Sequence, residues 1–182
     1  MVTTAQEPIT SQSMSLADWL ENPPQGTEWI QDCLIEKNDV TVKHSKAQRL
    51  LSTLWATYQE EQGVGGEVYT ELPCQTKQQG RRPDVAYLTP ELVAKCGQAK
   101  SIPQSPPLLA EIVSPTDVAE EIVAKVYEYL DSGAQEVWLV YPEVRWITIV
   151  TSQSKFIFSS GETARTQILL PGFSIPVDQL ST

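Results

Sequence analysis

One segment limits the folds open to this chain more than any other. Residues 106–115 read Pro-Pro-Leu-Leu-Ala-Glu-Ile-Val-Ser-Pro, a short apolar run between prolines with one carboxylate, Glu111, inside it. Apolar residues at successive rather than alternate positions suit a strand covered on both faces. Residues 137–141, Val-Trp-Leu-Val-Tyr, form a second such run. Between the two lies a helical pattern with Val118, Ile122, Val126 and Leu130 as its apolar stripe, capped by Thr116 or Asp117 and running to about Asp131. Strand, helix and strand at this spacing make a crossover, so the two strands should be parallel.

The remaining elements follow from local signals. Ser15 can cap a short helix that Asn22-Pro23-Pro24 ends. Residues 28–36 read as one strand. Residues 45–62 read as a long helix, with Ala47, Leu50, Leu51, Leu54 and Tyr58 at helical spacing and glycines 63, 65 and 66 stopping it. Strands are expected at 67–72 and 83–88, a short helix after Thr89-Pro90, and an antiparallel meander through 146–150 and 155–158. Phe173 and Ile175 should pack the C-terminal segment onto the core. Residues 1–14 read as a flexible N-terminal tail and residues 15–182 as a single domain. The fold class is α/β (α+β), with a mixed central β-sheet flanked by helices.

Composition narrows the function. The net charge of −10 argues against tight non-specific binding of nucleic acid. Cations cluster at Lys43, Lys46 and Arg49, and again at Lys77, Arg81 and Arg82 just before Asp84, where solvated surface and a site are equally open readings. Three cysteines, Cys33, Cys74 and Cys96, give neither a disulfide framework nor a zinc spacing. His44 is the single histidine, which excludes a multi-histidine metal centre. The glycines after the long helix follow a helix, not a strand, and lack the Lys-Ser/Thr ending of a phosphate loop. No signal peptide or membrane-spanning run is apparent, so a cytoplasmic protein without membrane contact is expected. The tryptophans at 19, 29, 55, 138 and 146 are dispersed, which suits core positions better than a base-stacking platform.

Asp84, in Pro83-Asp84-Val85-Ala86-Tyr87-Leu88, repeats the situation of Glu111 on a separate strand. A buried carboxylate loses hydration that the protein must replace. Two such groups can hold Mg²⁺, which accepts one or two carboxylates and completes an octahedron with water and backbone carbonyls, that of Ile112 for example. A nearby lysine, Lys125, can assist the hydrolytic water or the transition state. Taken singly, Asp84 reads as a residue after a proline turn and Lys125 as a helix-surface partner of Glu121, while for Glu111 a buried ion pair is the alternative to a site. The combination favours a metal-dependent phosphodiester hydrolase.

Pro83-Asp84 followed by Glu111-Ile112-Val113 resembles the PD-(D/E)-x-K nuclease superfamily. The wider pattern resembles the Uma-type family of inferred restriction endonucleases: Glu28, His44 near a long helix, Pro83-Asp84, Glu111 to Pro115, Glu121 and Lys125 on a helix, Gly133, and Glu136 to Pro142. The likeness spans most of residues 15–180. It implies a restriction-endonuclease-like core and a Mg²⁺-dependent endonuclease hydrolysing DNA, Mn²⁺ substituting; the net charge of −10 makes the expected non-specific DNA affinity weak. A homodimer would suit cutting of both strands. Asp84, Glu111 and the Ile112 backbone would hold the metal. Asp84, Glu111, Lys125, Glu28 and His44 would form the catalytic set. Val113 stands where the superfamily has its lysine, which the resemblance assigns to Lys125 instead. Tyr141 stands where the family often has aspartate, and Gln31 and Cys33 where acidic residues are common. These departures leave an alternative, a catalytically inactive nuclease-fold module binding nucleic acid or protein. In the nuclease reading, Lys125→Ala is expected to cost cleavage rate and not stability.

Overall fold

The computed structural model describes residues 14–37 and 41–181. The expected N-terminal tail therefore lies outside the described residues except for Met14, whose carbonyl accepts the Trp29 indole N–H at 2.8 Å.

Helix α1 (Leu16–Glu21) starts at a capping box, with the Asp18 N–H donating to Ser15 Oγ at 3.2 Å and the Ser15 N–H to Asp18 Oδ2 at 3.1 Å. The segment expected as one strand is a hairpin, β1 (Thr27–Ile30) and β2 (Cys33–Glu36). Its turn residues Gln31 and Asp32 both adopt left-handed φ, 49° and 64°, the geometry of a two-residue hairpin turn. Asn-Gly or Asp-Gly would have signalled such a turn, and neither occurs here. Helix α2 (Val42–Gln62) begins before the expected residue, because Thr41 Oγ1 caps it by accepting the His44 N–H at 3.1 Å. Gly63 ends it at φ 63°.

Strands β3 (Glu67–Thr70), β4 (Cys74–Gln75), β5 (Gly80–Arg81) and β6 (Val85–Leu88) follow, then α3 (Pro90–Cys96) and β7 (Leu108–Ile112). Helix α4 (Ala119–Leu130) starts later than expected, with Val118 at its N-cap. Asp117 caps no helix: its carboxylate accepts the Ser114 N–H at 2.8 Å and closes the turn that leaves β7. Strands β8 (Glu136–Tyr141), β9 (Trp146–Thr151) and β10 (Lys155–Ser159) form the expected meander, and β11 (Thr163–Arg165) pairs with β12 (Ser174–Pro176).

The main sheet has the order β10-β9-β8-β7-β6-β3, with β7 and β8 parallel and every other neighbouring pair antiparallel. A smaller antiparallel sheet, β2-β1-β5-β4, stands beside it. The run containing Glu111 is thus a central strand, as its composition requires. One face of the main sheet packs Val85, Leu108, Ala110, Ile112 and Trp138 against Leu51 and Trp55 of α2. The Trp55 and Trp138 rings meet edge-on at 5.8 Å, worth about 0.5–1.5 kcal/mol beyond burial. The other face packs Leu88, Leu109, Val137 and Leu139 against Val126 and Tyr129 of α4. Phe173 and Ile175 are buried in the first core, as expected. At the head of β8, buried Glu136 accepts the Trp138 indole N–H at 2.7 Å and the Gln167 and Ile168 N–H groups at 2.9 and 2.8 Å. That carboxylate ties the C-terminal segment to the sheet. The three cysteines are free thiols, and no described helix is long and apolar enough to cross a membrane.

Candidate active site

The strand register brings Asp84 and Glu111 together. Val85 pairs with Ala110, so one step further the antiparallel ladder sets Asp84 beside Glu111. Side chains alternate across a strand. Leu109 and Leu88 lie in the core on the α4 side, so Glu111 and Asp84, each an even number of positions away, share that face. Cross-strand neighbours on one face have Cβ atoms about 4.5–5.5 Å apart. Both carboxylates are buried, Asp84 at 2% and Glu111 at 6% exposure. Asp84 lies just before β6, where Pro83 has no N–H for the ladder. The Asp84 side chain crosses to β7, where Oδ2 accepts the Ile112 N–H at 2.7 Å.

Helix α4 returns antiparallel over β7 and carries Lys125 and Tyr129 on one face, four residues apart. Lys125 Nζ lies 3.0 Å from Glu111 Oε1 and 3.2 Å from Glu28 Oε1. The Tyr129 hydroxyl donates to the same Glu111 Oε1 at 2.6 Å. Glu28, on β1, is buried; its Oε1 also accepts the Arg82 N–H at 3.0 Å and its Oε2 pairs with Arg81 at 3.1 Å. Arg81 in turn grips Glu128, with contacts of 2.6 to 3.2 Å, and Thr76 donates its hydroxyl to Glu128 as well. Glu121, expected beside Lys125, is exposed in the first turn of α4. The Lys125 side chain is only 14% exposed, so removing it takes an ammonium from two buried carboxylates and leaves Glu28 with Arg81 and Glu111 with the Tyr129 hydroxyl. This overturns the expectation that Lys125→Ala would leave stability untouched.

Asp84 Oδ1 faces a different cation. Lys37, at the end of β2, places Nζ 2.9 Å from Asp84 Oδ1, 2.8 and 3.0 Å from the two Glu71 oxygens, and 2.9 Å from the Arg82 carbonyl. Gln48 of α2 donates to Glu71 Oε1 at 3.0 Å and to the Asp84 carbonyl at 2.9 Å. His44, in the first turn of α2, points Nε2 at Asp84 Oδ1 from 3.5 Å. Neither of its buried ring nitrogens has a hydrogen-bond partner among the described residues.

These contacts shift the acids in opposite directions. Burial works against the Glu28 carboxylate, but Lys125 and Arg81 outweigh it and hold its pKa down at about 2. Burial likewise opposes ionisation of Asp84, and the Lys37 charge more than reverses it, so that Asp84 stays below the usual carboxylate range. For Glu111 burial prevails, with Asp84 adding repulsion, so its pKa is raised in spite of Lys125. Burial lowers the ammonium forms of Lys37 and Lys125, yet the surrounding carboxylates override it and raise both.

Five carboxylates, Glu28, Glu71, Asp84, Glu111 and Glu128, are paired with three cations, Lys37, Arg81 and Lys125. Arg82 lies close by, but its guanidinium is directed at the carbonyls of Thr27, Glu71 and Pro24. An excess of negative charge over two adjacent carboxylates suits a hard divalent cation. Among the described residues no three His, Cys, Asp or Glu groups are placed to hold an ion together. A metal here would rely on Asp84 and Glu111 with water filling most positions, the habit of Mg²⁺ rather than of zinc.

The sequence brought Asp84, Glu111, Lys125, Glu28 and His44 to one place, and Ile112 enters through its N–H. It missed Lys37, Glu71, Gln48 and Glu128. Arg81 and Arg82 were visible as cations beside Asp84 but not as partners of Glu28, and only Lys77 of that cluster is a surface group. Lys43 of the other cluster pairs with Glu143 on the surface.

No curated protein sequence matches the chain. Among solved structures, the fold matches the crystal structure of a putative nuclease belonging to DUF820 from Anabaena variabilis ATCC 29413, with a TM-score of 0.79. That match covers 91% of this chain and 96% of the other at 18% identity, and it establishes a shared fold. The model of one family, described as "Putative restriction endonuclease", matches residues 13–178. The chain belongs to that family, Uma2, and has the restriction-endonuclease-like core its sequence pattern implied.

Proposed function

We propose that the protein is a Mg²⁺-dependent endonuclease that hydrolyses phosphodiester bonds of DNA, working as a homodimer with one site per strand. The observation that carries this reading is the pairing of Asp84 with Glu111 on one face of adjacent strands, with Lys125 3.0 Å from Glu111. Asp84, Glu111 and the Ile112 backbone would hold the ion. When bound, Mg²⁺ supplies an activated water and neutralises charge on the phosphate. Lys125, fixed between Glu111 and Glu28, would orient the attacking water and stabilise the phosphorane-like charge. Glu111 and Glu28 keep that ammonium charged and in place. His44, with Nε2 3.5 Å from Asp84 Oδ1, would take up or deliver a proton at the phosphate edge. The acidic surface suits weak, transient DNA contact.

A second reading, a nuclease fold without catalysis, is favoured by one observation: Lys37 and Lys125 already neutralise Asp84 and Glu111 without a metal. Plasmid cleavage in Mg²⁺ or Mn²⁺ decides between them. Asp84→Asn and Glu111→Gln should each abolish cleavage and leave the circular dichroism spectrum unchanged. An absence of wild-type cleavage over a range of DNA substrates and both metals would defeat the catalytic reading.

A further inference from the structure

Lys37 has no place in the family pattern set out above, yet its ammonium is the nearest cation to Asp84. Its three N–H groups face four oxygens, all within 3.0 Å: two from Glu71, one from Arg82 and one from Asp84. That is a saturated environment for an ammonium ion. Asp84 has only two carboxylate oxygens. Oδ2 is engaged by the Ile112 N–H at 2.7 Å, a contact that links β6 to β7. Oδ1 is the oxygen an incoming ion can take without breaking that link, and Oδ1 is the one Lys37 holds.

We propose that Lys37 is the resident counter-cation of Asp84, and that a divalent ion reaches Asp84 only by displacing its ammonium group. Lys37 then sets the metal concentration at which the site fills. The inference rests on the metal-site reading above. Glu71 gives the displaced ammonium somewhere to go. It offers both oxygens to Lys37, is steadied by Gln48, and is more exposed than Asp84, with 36% of its side chain accessible against 3%. The lysine stem can swing toward Glu71 and away from Oδ1 while keeping one ion pair intact. Lys125 has no such freedom, because its two carboxylates are both buried.

The test is calorimetric titration of Mn²⁺ into the full chain, freed of metal and without nucleic acid. Lys37→Met should bind Mn²⁺ about tenfold or more tightly than wild type, the effect of removing one neighbouring charge from a carboxylate. Lys37→Arg keeps the charge and should bind no more tightly than wild type. Lys43→Met removes an equal charge at an exposed ion pair with Glu143 and should bind as wild type does. Adding Asp84→Asn to Lys37→Met should abolish the gain. If wild type binds Mn²⁺ and Lys37→Met binds equally or more weakly, the displacement idea fails while the metal site stands. If neither binds, both fail together. Should Lys37→Met fold poorly, Lys37→Gln read by the Mn²⁺-induced shift in melting temperature gives the same ranking; a shift no larger than in wild type overturns the proposal.

Discussion

Replacing Lys125 by alanine removes one ammonium from between two buried carboxylates. Its nitrogen lies 3.0 Å from Glu111 and 3.2 Å from Glu28, and both acid side chains are 8% exposed. Breaking a buried pair by deleting one partner costs about 3–5 kcal/mol, because the remaining charge is left without compensation. A carboxylate can escape that penalty by taking a proton, which favours the lower end, about 3 kcal/mol at neutral pH. For a domain of this size each kcal/mol moves the melting temperature by about 2–4 °C, so a fall of roughly 6–12 °C is expected. The pH dependence has a definite sign. In the variant both acids lose the cation that most favours their charged forms: Glu111, already above the usual carboxylate range, is raised further, and Glu28, still paired with Arg81, is held down less. A raised carboxyl pKa destabilises the fold as pH rises through and above the ordinary range. The gap from wild type is therefore widest at about pH 8 and narrows toward about pH 4. Thermal melts at a series of pH values read this directly, and Lys125→Met, which keeps most of the apolar stem, separates charge from packing. If Lys125→Ala melts together with wild type across that range, the buried ion triad does not exist in solution.

Glu28→Gln should show the complementary behaviour. Burial opposes the Glu28 charge but Lys125 and Arg81 lower its pKa from 4.5 to about 2. That shift corresponds to a stabilisation on the order of 3 kcal/mol, fully present above the unfolded pKa and lost as pH falls through the folded one. Urea unfolding should find the variant weaker at neutral pH and the difference closing between pH 4.5 and about 2; a constant difference would mean that the cations do not hold Glu28 ionised. Gly80→Ala should destabilise by about 1–3 kcal/mol through overpacking, since its Cβ would lie 2.4 Å from the ring of buried Trp19. An unchanged melting temperature would show that α1 does not press on β5 as described.

What the sequence made legible was what burial writes into composition. The runs at β6, β7 and β8 are apolar because both faces of the sheet are covered, and the stripe of α4 is periodic because one side of it is. A carboxylate stands out against such a background, so Asp84 and Glu111 could be found without any structure. The smaller sheet wrote no comparable signal. Strands β4 and β5 are two residues each, too short for any period. The β1–β2 turn reaches left-handed φ at Gln31 and Asp32 without a glycine to announce it. Lys37 and Glu71 were invisible for another reason: they lie 34 residues apart, and an ion pair between distant polar residues leaves no local pattern. Arg82 shows the same limit, a cation whose partners are three carbonyls rather than any acid near it in sequence.

The division into two sheets bears on the order in which the site comes into being. The strands β7, β8 and β9 pair along their length, and each is five or six residues long. They form a cooperative unit that can stand while its surroundings open. The smaller sheet has two strands of four residues and two of two. Opening it breaks far fewer ladder bonds, yet it carries away Glu28, one of the two carboxylates that hold Lys125. The larger sheet keeps Glu111 and the helix that bears Lys125, but not the geometry between them. Whatever chemistry the site supports thus depends on the shorter-stranded sheet as well as on the larger one. A partial opening well short of global unfolding would take Glu28 from Lys125, and redocking of the smaller sheet would return it.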